Sequence, residues 1–335
     1  MSRYFMIATT LVLLIAAVVT VQLFRPVPVT QFVALAFDSS EEVQRWQETL
    51  DFAKENKVRF TYFVSGPMFL SNENADYYQG PMHPRGTSDI GFGGSVQDVA
   101  ARIEIMRRAY REGHEIASHA NGHWDGSGWS KEQWISELEQ FRDIMANTHA
   151  INGLHNSDPD EWRRIIASIT GLRAPLLAVN DALYQALPEL GYTYDTSRTH
   201  QRNYWPEQLI GGVWNFPLAE LPLEQGGAVI SMDYSFSTLH EEPGEDPQAE
   251  MAQAYAAYFD NNYNGSRAPI HIGHHFSLYF DGAYWRAMQN FAQAVCRRDD
   301  VNCGTYSELA AAMPSLRAEI SSNLGWRRFL GYVPW

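Results

Sequence analysis

The sequence predicts an α/β fold in which parallel strands form the centre and helices cover them. Short apolar runs typical of buried strands alternate with longer segments whose apolar residues recur every three or four positions. Polar residues follow the apolar runs, and in a parallel fold the carboxyl ends of the strands gather on one face. This alternation is typical of either a barrel or an open sheet. At 335 residues the chain can bury a large core, but its length does not decide between one domain and two.

The first half of the chain contains three predicted strands, and the third ends directly before a histidine, His119. The predicted elements are a strand at 33–37, a helix at about 41–56, a strand at 59–64, a helix around 99–110 and a strand at 115–118. Residues 71–94 are rich in Gly, Pro, Asn and Asp, which indicates a long surface loop. Long loops on compact folds often carry the functional site.

The second half continues the alternation. Helices are predicted around 134–145, at 158–168, 180–190, 249–263 and 285–297. Extended segments are predicted at Leu172, at 192–195, at 213–216 and at 270–275. The polar residues at the strand ends are Asp38, His119, Arg173, Asp195 and His275. Because these ends share one face of a parallel fold, we expect the five side chains to converge.

The N-terminus has the pattern of an export signal or signal anchor. A mainly apolar run from Tyr4 to Phe24 lies between Arg3 and Arg25. No clear small-x-small cleavage site follows it, which favours an uncleaved anchor over a removed signal peptide. We therefore expect an exported protein, periplasmic or extracellular, attached to the inner membrane if the segment is not cleaved.

Charge and cysteine content narrow the classes of partner. The chain has 25 basic and 39 acidic residues, a formal charge of -14, which would repel nucleic-acid phosphates and anionic headgroups. Cys296 and Cys303 are the two cysteines, and in an exported domain they could close a small disulfide loop. Their C-x6-C spacing does not indicate a zinc site.

His119 and His123 form an H-x-x-x-H pair after the strand at 115–118. Two imidazoles at this spacing can face one point and hold a divalent metal such as zinc, with positions left for a carboxylate and water. The alternative is a pair of partly buried histidines without a metal. No glutamate follows His119, so the H-E-x-x-H of a zinc peptidase is absent.

Six segments together give the chain a family resemblance. They are VALAFDSS from Val33, HEIASHANGH from His114, GLRAPLLAVND from Gly171, GYTYDTS from Gly191, GVWNFPL from Gly212 and NYNGSRAPIHIGHHFSLYF from Asn262. In this order they resemble the polysaccharide deacetylases of carbohydrate esterase family 4, especially the chitin-deacetylase-like branch. The resemblance implies a distorted (β/α) barrel of about seven parallel strands over residues 29–320. Residues 1–28 would then be the anchor or signal, and residues 321–335 a C-terminal extension.

The resemblance also implies an activity, the hydrolysis of N-acetyl groups on an N-acetylglucosamine-containing glycan with a divalent metal, zinc by its ligand type. Asp38 matches the general base, whose structural alternative is a helix N-cap. His119 and His123 match the two metal histidines. Arg173 matches the arginine that positions the base, and its fixed charge favours the ionised carboxylate.

Four further residues take roles from the same resemblance. Leu176 lies where the family offers a backbone N–H to the oxyanion. Asp195 matches a supporting carboxylate that orients a charged partner, with a plain turn aspartate as the alternative. His275 falls at the general-acid histidine, although His271 and His274 are close enough to compete. Two aromatic residues are candidates for stacking on sugar rings, Trp214 and Tyr279, with core packing favoured for Trp214.

One position departs from the family pattern. Ser39 stands where the family has a second aspartate that binds the metal directly. Because a neutral hydroxyl is a poor ligand for a divalent cation, we expect weaker metal binding than in relatives. Glu41, Glu42 or a second water are the candidates to complete the shell. The protein is then either a deacetylase, perhaps slow by this loss, or a sugar-binding pseudoenzyme; a serine esterase is excluded because no G-x-S-x-G motif occurs.

Overall fold

The computed structural model describes residues 30–38, 42–223, 226–239 and 246–329. The chain divides into a compact unit, Gln31–Met313, and a second unit formed by residues 1–30 and 314–335. The predicted anchor at residues 1–28 lies outside the described residues. Within the described ranges, no helix is long and apolar enough to cross a membrane. The predicted domain boundaries at residues 28 and 320 stay predictions.

The strands are β1 Gln31–Asp38, β2 Thr61–Val64, β3 Glu115–Ser118, β4 Gly171–Leu172, β5 Tyr194–Asp195, β6 Thr199–Gln201, β7 Glu207–Gln208, β8 Trp214–Asn215, β9 Leu218–Pro222, β10 Ala228–Ile230, β11 Ile270–His275 and β12 Val301–Cys303. The helices are α1 Val43–Asn56, α2 Val96–Arg111, α3 Lys131–Ile151, α4 Pro159–Ala167, α5 Asp181–Ala186, α6 Asp233–Ser237, α7 Pro247–Asn264, α8 Tyr279–Val295 and α9 Tyr306–Phe329. Strands and helices alternate through most of the chain, so the predicted α/β class is confirmed.

Seven strands form the parallel part of a curled main sheet, in the order β11, β1, β2, β3, β4, β5 and β8. The predicted number of parallel strands therefore agrees with the structure, but the prediction of a barrel is corrected to an open sheet. At one end β7 pairs antiparallel with β8 and ends the series. At the other end, the outer edge of β11 meets a single bridge from Met232 to Gly273.

A separate sheet of three strands has the order β10, β9 and β6. β9 pairs antiparallel with β10 and parallel with β6. Three to five residues per strand is too short for an alternating pattern to stand out, which is why sequence reasoning missed this sheet. Its last strand leads into α6, which begins at Asp233.

β1 is the central strand of the main sheet. All eight of its residues are buried, because strands with neighbours on both edges and helices on both faces have no exposed side. β11 and β2 flank it in parallel, and β12 pairs with its first residues. The register with β11 pairs Asp38 with His275, which brings two predicted site residues side by side.

The helices begin where side-chain caps are available. Ser95 and Asp98 form a capping box at α2, and Ser130 and Gln133 form another at α3. Helix α5 begins after the N-cap Asn180 as predicted, but it ends at Ala186 instead of residue 190. Pro188 explains the early end, since the residue before a proline is disfavoured in helical conformation.

Cys296 and Cys303 form a disulfide with their Cα atoms 5.5 Å apart. The bond joins the end of α8 to the last residue of β12, and β12 pairs with β1. The possible pairing inferred from the sequence therefore occurs in the structure.

Candidate active site at the carboxyl ends of the strands

The five predicted polar residues occupy the carboxyl ends of five parallel strands. Asp38, Asp195 and His275 are the last residues of β1, β5 and β11. His119 and Arg173 directly follow β3 and β4. Four of them are directly linked: Arg173 bonds to Asp38 and His119, and Asp38 lies opposite His275 in the register. Asp195 makes separate contacts.

Arg173 and Asp38 form a buried ion pair. The Nη1 of Arg173 donates to Oδ1 of Asp38 at 2.7 Å, and the two side chains are 0% and 3% exposed. Nε donates to Thr196 Oγ1 at 2.7 Å and Nη2 to Tyr306 Oη at 3.2 Å. Burial opposes the charge, but the Asp38 carboxylate raises the pKa of Arg173 above its ordinary value. The pair is thus permanently charged, and Asp38 is fixed in position.

His119 and His123 face each other with ring centroids 5.5 Å apart. Nδ1 of His119 lies 2.7 Å from the carbonyl oxygen of Arg173, and because a carbonyl only accepts, Nδ1 carries the proton. Nε2 of His119 is then the free lone pair. Burial lowers the pKa of His119 to about 4 and also lowers that of His123, so both imidazoles are neutral at pH 7.

These features fit a pair of metal ligands. Two imidazoles on one tetrahedral zinc, with Zn–N near 2.0 Å, would place their ring centroids about 5 Å apart. A ligand histidine normally donates its other N–H to a carbonyl or carboxylate, as His119 does to Arg173. In the described part of the chain, no group of three or more His, Cys, Asp or Glu side chains is arranged to hold a metal. Ser39 and Glu41, which concern the third ligand, lie outside the described residues.

A network under the loop between the two histidines holds its backbone. Oε1 of the buried Glu137 accepts from the amide of Asn121 at 2.9 Å, and Tyr78 Oη donates to the same carboxylate. The amide of Gly122 donates to Tyr78 Oη at 3.1 Å. Burial raises the pKa of Glu137 to about 7. His123 itself has a left-handed backbone with φ of 59°, a conformation that costs energy and needs such support.

His275 has a buried carboxylate partner that the sequence analysis did not single out. Its Nδ1 lies 2.7 Å from Oδ1 of Asp233, and its amide donates to Oδ2 at 2.8 Å. Burial alone would lower the pKa of His275, but the charge and hydrogen bond of Asp233 outweigh it and raise the pKa to about 9. His275 is therefore protonated at neutral pH, as a general acid must be.

The two competing histidines have other environments. His274 is buried, its Nε2 lies 3.0 Å from Tyr255 Oη, and burial lowers its pKa to about 4. His271 is stacked on Tyr306 with centroids 5.6 Å apart, and burial lowers its pKa to about 3. Both are neutral at pH 7, so His275 is the best-placed proton donor of the three.

The role expected for Asp195 is corrected by its contacts. Its carboxylate accepts from Tyr184 Oη at 3.2 Å and from Ser197 Oγ at 2.6 Å. Ser197 Oγ in turn accepts from the amide of Ala174 at 2.8 Å. These partners are neutral, so Asp195 braces the backbone after Arg173 instead of orienting a charged side chain. Asp233 is the carboxylate that orients a charged group.

The turn after Pro175 has an uncommon backbone. Leu176 and Leu177 have φ of 57° and 54°, in the left-handed region that non-glycine residues rarely adopt. The amides of Leu177 and Ala178 donate to carbonyls of the turn itself. The amide of Leu176 is then the candidate donor to an oxyanion, and its side chain is 61% exposed. The oxyanion role stays a prediction.

The two aromatic residues predicted to contact sugar are both partly buried. Trp214 in β8 lies parallel to Phe216 with centroids 6.3 Å apart. Tyr279 lies near the site, at the start of α8 and four residues after His275. Stacking on a glycan stays a prediction for both.

A positioned carboxylate, a protonated histidine and two imidazole ligands on one face of a parallel sheet are the equipment of an acyl-group hydrolase. Comparison with known proteins agrees with this class. Residues 27–194 match the family model described as polysaccharide deacetylase, and the chain belongs to that family.

Solved structures share the fold. A Mycobacterium smegmatis protein assigned to the polysaccharide deacetylases is 18% identical, with a TM-score of 0.58 over 88% of this chain and 93% of that one. The peptidoglycan deacetylase PdaC of Bacillus subtilis is 14% identical, with a TM-score of 0.48 over 90% and 98%. The chitin deacetylase of Colletotrichum lindemuthianum is 15% identical, with a TM-score of 0.46 over 79% and 82%. No curated protein matches the sequence.

Asp233→Asn is expected to move the alkaline limb of the pH–rate profile downward. In the native protein this limb should lie near pH 9, where His275 loses its proton. Without the carboxylate, burial dominates and the histidine pKa falls to or below its ordinary value of about 6.5. The measurement is kcat/KM against pH, with the exposed Asp181→Asn as control. An unchanged alkaline limb would exclude His275 as the acid.

Proposed function

We propose that the protein is a metal-dependent N-deacetylase that acts on an N-acetylglucosamine-containing polysaccharide outside the cytoplasm. The supporting observation is the neighbouring placement of Asp38 and His275 across β1 and β11, each with its own buried counter-charge. This arrangement keeps a base ionised and an acid protonated at the same pH. The exported location rests on the N-terminal apolar segment of the sequence.

The chemistry divides among the residues of this chain. Asp38, fixed by Arg173, takes the proton of the attacking water. His119 and His123 hold the metal, which when bound polarises the acetyl carbonyl and acidifies water. The Leu176 amide donates to the oxyanion, and His275 gives its proton to the departing amine nitrogen. Zinc is the metal that suits the two neutral imidazoles best.

A second candidate function is a carbohydrate-binding protein without turnover. Ser39 favours it, because the serine replaces an anionic metal ligand of the family. The intact Asp38–Arg173 and His275–Asp233 pairs favour the enzyme. A protein that had lost turnover would have no need of a positioned base and a protonated acid.

The test is zinc content and acetate release from chito-oligosaccharides for the native protein, His119→Ala and Ser39→Asp. For an enzyme we expect acetate release that His119→Ala abolishes together with zinc binding. Ser39→Asp should bind zinc about ten-fold or more tightly, since it adds an anionic ligand. Acetate release unaffected by His119→Ala would exclude the metal mechanism. Activity found only in Ser39→Asp would establish the binding protein.

A further inference from the structure

His123 has a buried ring nitrogen without a hydrogen-bond partner among the described residues. This atom is Nδ1. A carboxylate oxygen, Oδ2 of Asp89, faces it at 3.7 Å. That separation is about 0.8 Å longer than a normal N–H···O bond, so the two groups are aligned but not yet bonded. A buried imidazole nitrogen that lacks a partner is uncommon and calls for one.

Asp89 is attached to the histidine loop by its backbone. Its amide donates to the carbonyl oxygen of Gly122 at 2.9 Å, directly before His123. The long loop makes further contacts here: His83 stacks on Trp124 with centroids 3.7 Å apart. The backbone of Asp89 is thus fixed beside the ring, while its side chain is 62% exposed and can rotate toward Nδ1.

The two histidines are then a matched pair. His119 already donates Nδ1–H to a carbonyl oxygen, which directs Nε2 to the metal. An Asp89 carboxylate on Nδ1 of His123 would select the same tautomer. Carboxylate or carbonyl acceptors behind metal histidines set the tautomer, fix the ring and raise the basicity of the ligand nitrogen.

We propose that Asp89 is a positioning residue of the metal site, which accepts the Nδ1–H of His123 and so presents Nε2 to the metal. This inference rests on the proposed function, because it requires that a metal binds His119 and His123. It assigns the long loop at 71–94 a task in metal binding. It also places a negative charge behind His123 in a chain that has Ser39 where relatives have an anionic ligand.

The test is isothermal titration of the metal-free full-length protein with Zn²⁺. Asp89→Ala should weaken zinc binding about 10- to 100-fold, the usual effect of removing such a partner. Asp89→Asn should weaken it less, since the amide oxygen still accepts a hydrogen bond but has no charge. Asp76→Asn is the matched control, because Asp76 lies in the same loop beside Gly86, and its zinc affinity should equal that of the native protein.

Two further measurements make the outcome decisive. The metal-free Asp89 variants should melt at the native temperature, which separates positioning from a general loss of fold. The zinc-loaded native protein should show a low-field Nδ1–H proton resonance of His123 that is altered in Asp89→Ala. Zinc affinity of Asp89→Ala within two-fold of native, or a zinc-loaded structure with Asp89 on the metal itself, would overturn this role alone. Absence of zinc binding by the native protein would overturn both this role and the metal-dependent function.

Discussion

Asp38→Asn is expected to lower the rate of acetate release by about two to four orders of magnitude, the usual contribution of a general base. The amide has the size of the carboxylate, but it cannot accept a proton from water at neutral pH. Zinc binding should persist, because His119 and His123 are unchanged. The measurement is kcat for chito-oligosaccharides, with zinc content determined on the same samples.

The control for this change is Asp51→Asn, which removes a carboxylate that pairs with Arg108 on the surface. It should leave kcat unchanged. Because Asp38→Asn also leaves Arg173 without its buried counter-charge, assays belong at temperatures where melting curves show the variant folded. A folded Asp38→Asn protein with kcat within ten-fold of native would contradict the assignment of the base.

Arg173→Met is expected to destabilise the protein by about 3 to 5 kcal/mol, the cost of breaking a buried ion pair from one side. Arg173 is fully buried, and three of its nitrogens donate to Asp38, Thr196 and Tyr306. Removing it leaves a buried carboxylate without a partner. Urea unfolding gives the change in the free energy of unfolding, and acetate release should fall as well because Asp38 loses its fixed position.

The double variant Arg173→Met, Asp38→Asn separates the ion pair from simple loss of packing. It should be more stable than Arg173→Met alone, since no unpaired charge remains in the core. Arg163→Met is the matched surface control: Arg163 pairs with Asp160 where both side chains are mostly exposed. Its free energy of unfolding should change by less than about 1 kcal/mol. Equal losses for Arg163→Met and Arg173→Met would show that the buried pair has no special weight.

The parts of the site that lie on long buried strands could be predicted from the sequence. β3 occurs over the predicted residues 115–118 and β11 over residues 270–275. A strand buried on both faces is a continuous apolar run, so its end is visible as the first polar residue. Asp38, His119, Arg173 and His275 were found by this signal, and the structure brings them to one face.

Asp233 could not be found in this way. It follows a strand of three residues and begins a helix of five, and neither length shows a period. A cue was nevertheless present, since Asp233 follows the apolar residues of β10 as Asp38 follows those of β1. The resemblance drew attention to Asp195 instead, whose carboxylate has neutral partners. The position of Asp89 depends on the path of a long loop, which side-chain periodicity does not encode.

The position of β1 also has a kinetic consequence. Two of its three partners, β11 and β12, come from the far end of the compact unit. Pairings between such distant segments form slowly, because a long loop must close before any contact rewards it. Until then β1 has one open edge that could pair with other chains. The base and the acid therefore meet in the same late step that protects this edge, and a chain truncated before Ile270 would lack the acid and leave β1 exposed to aggregation.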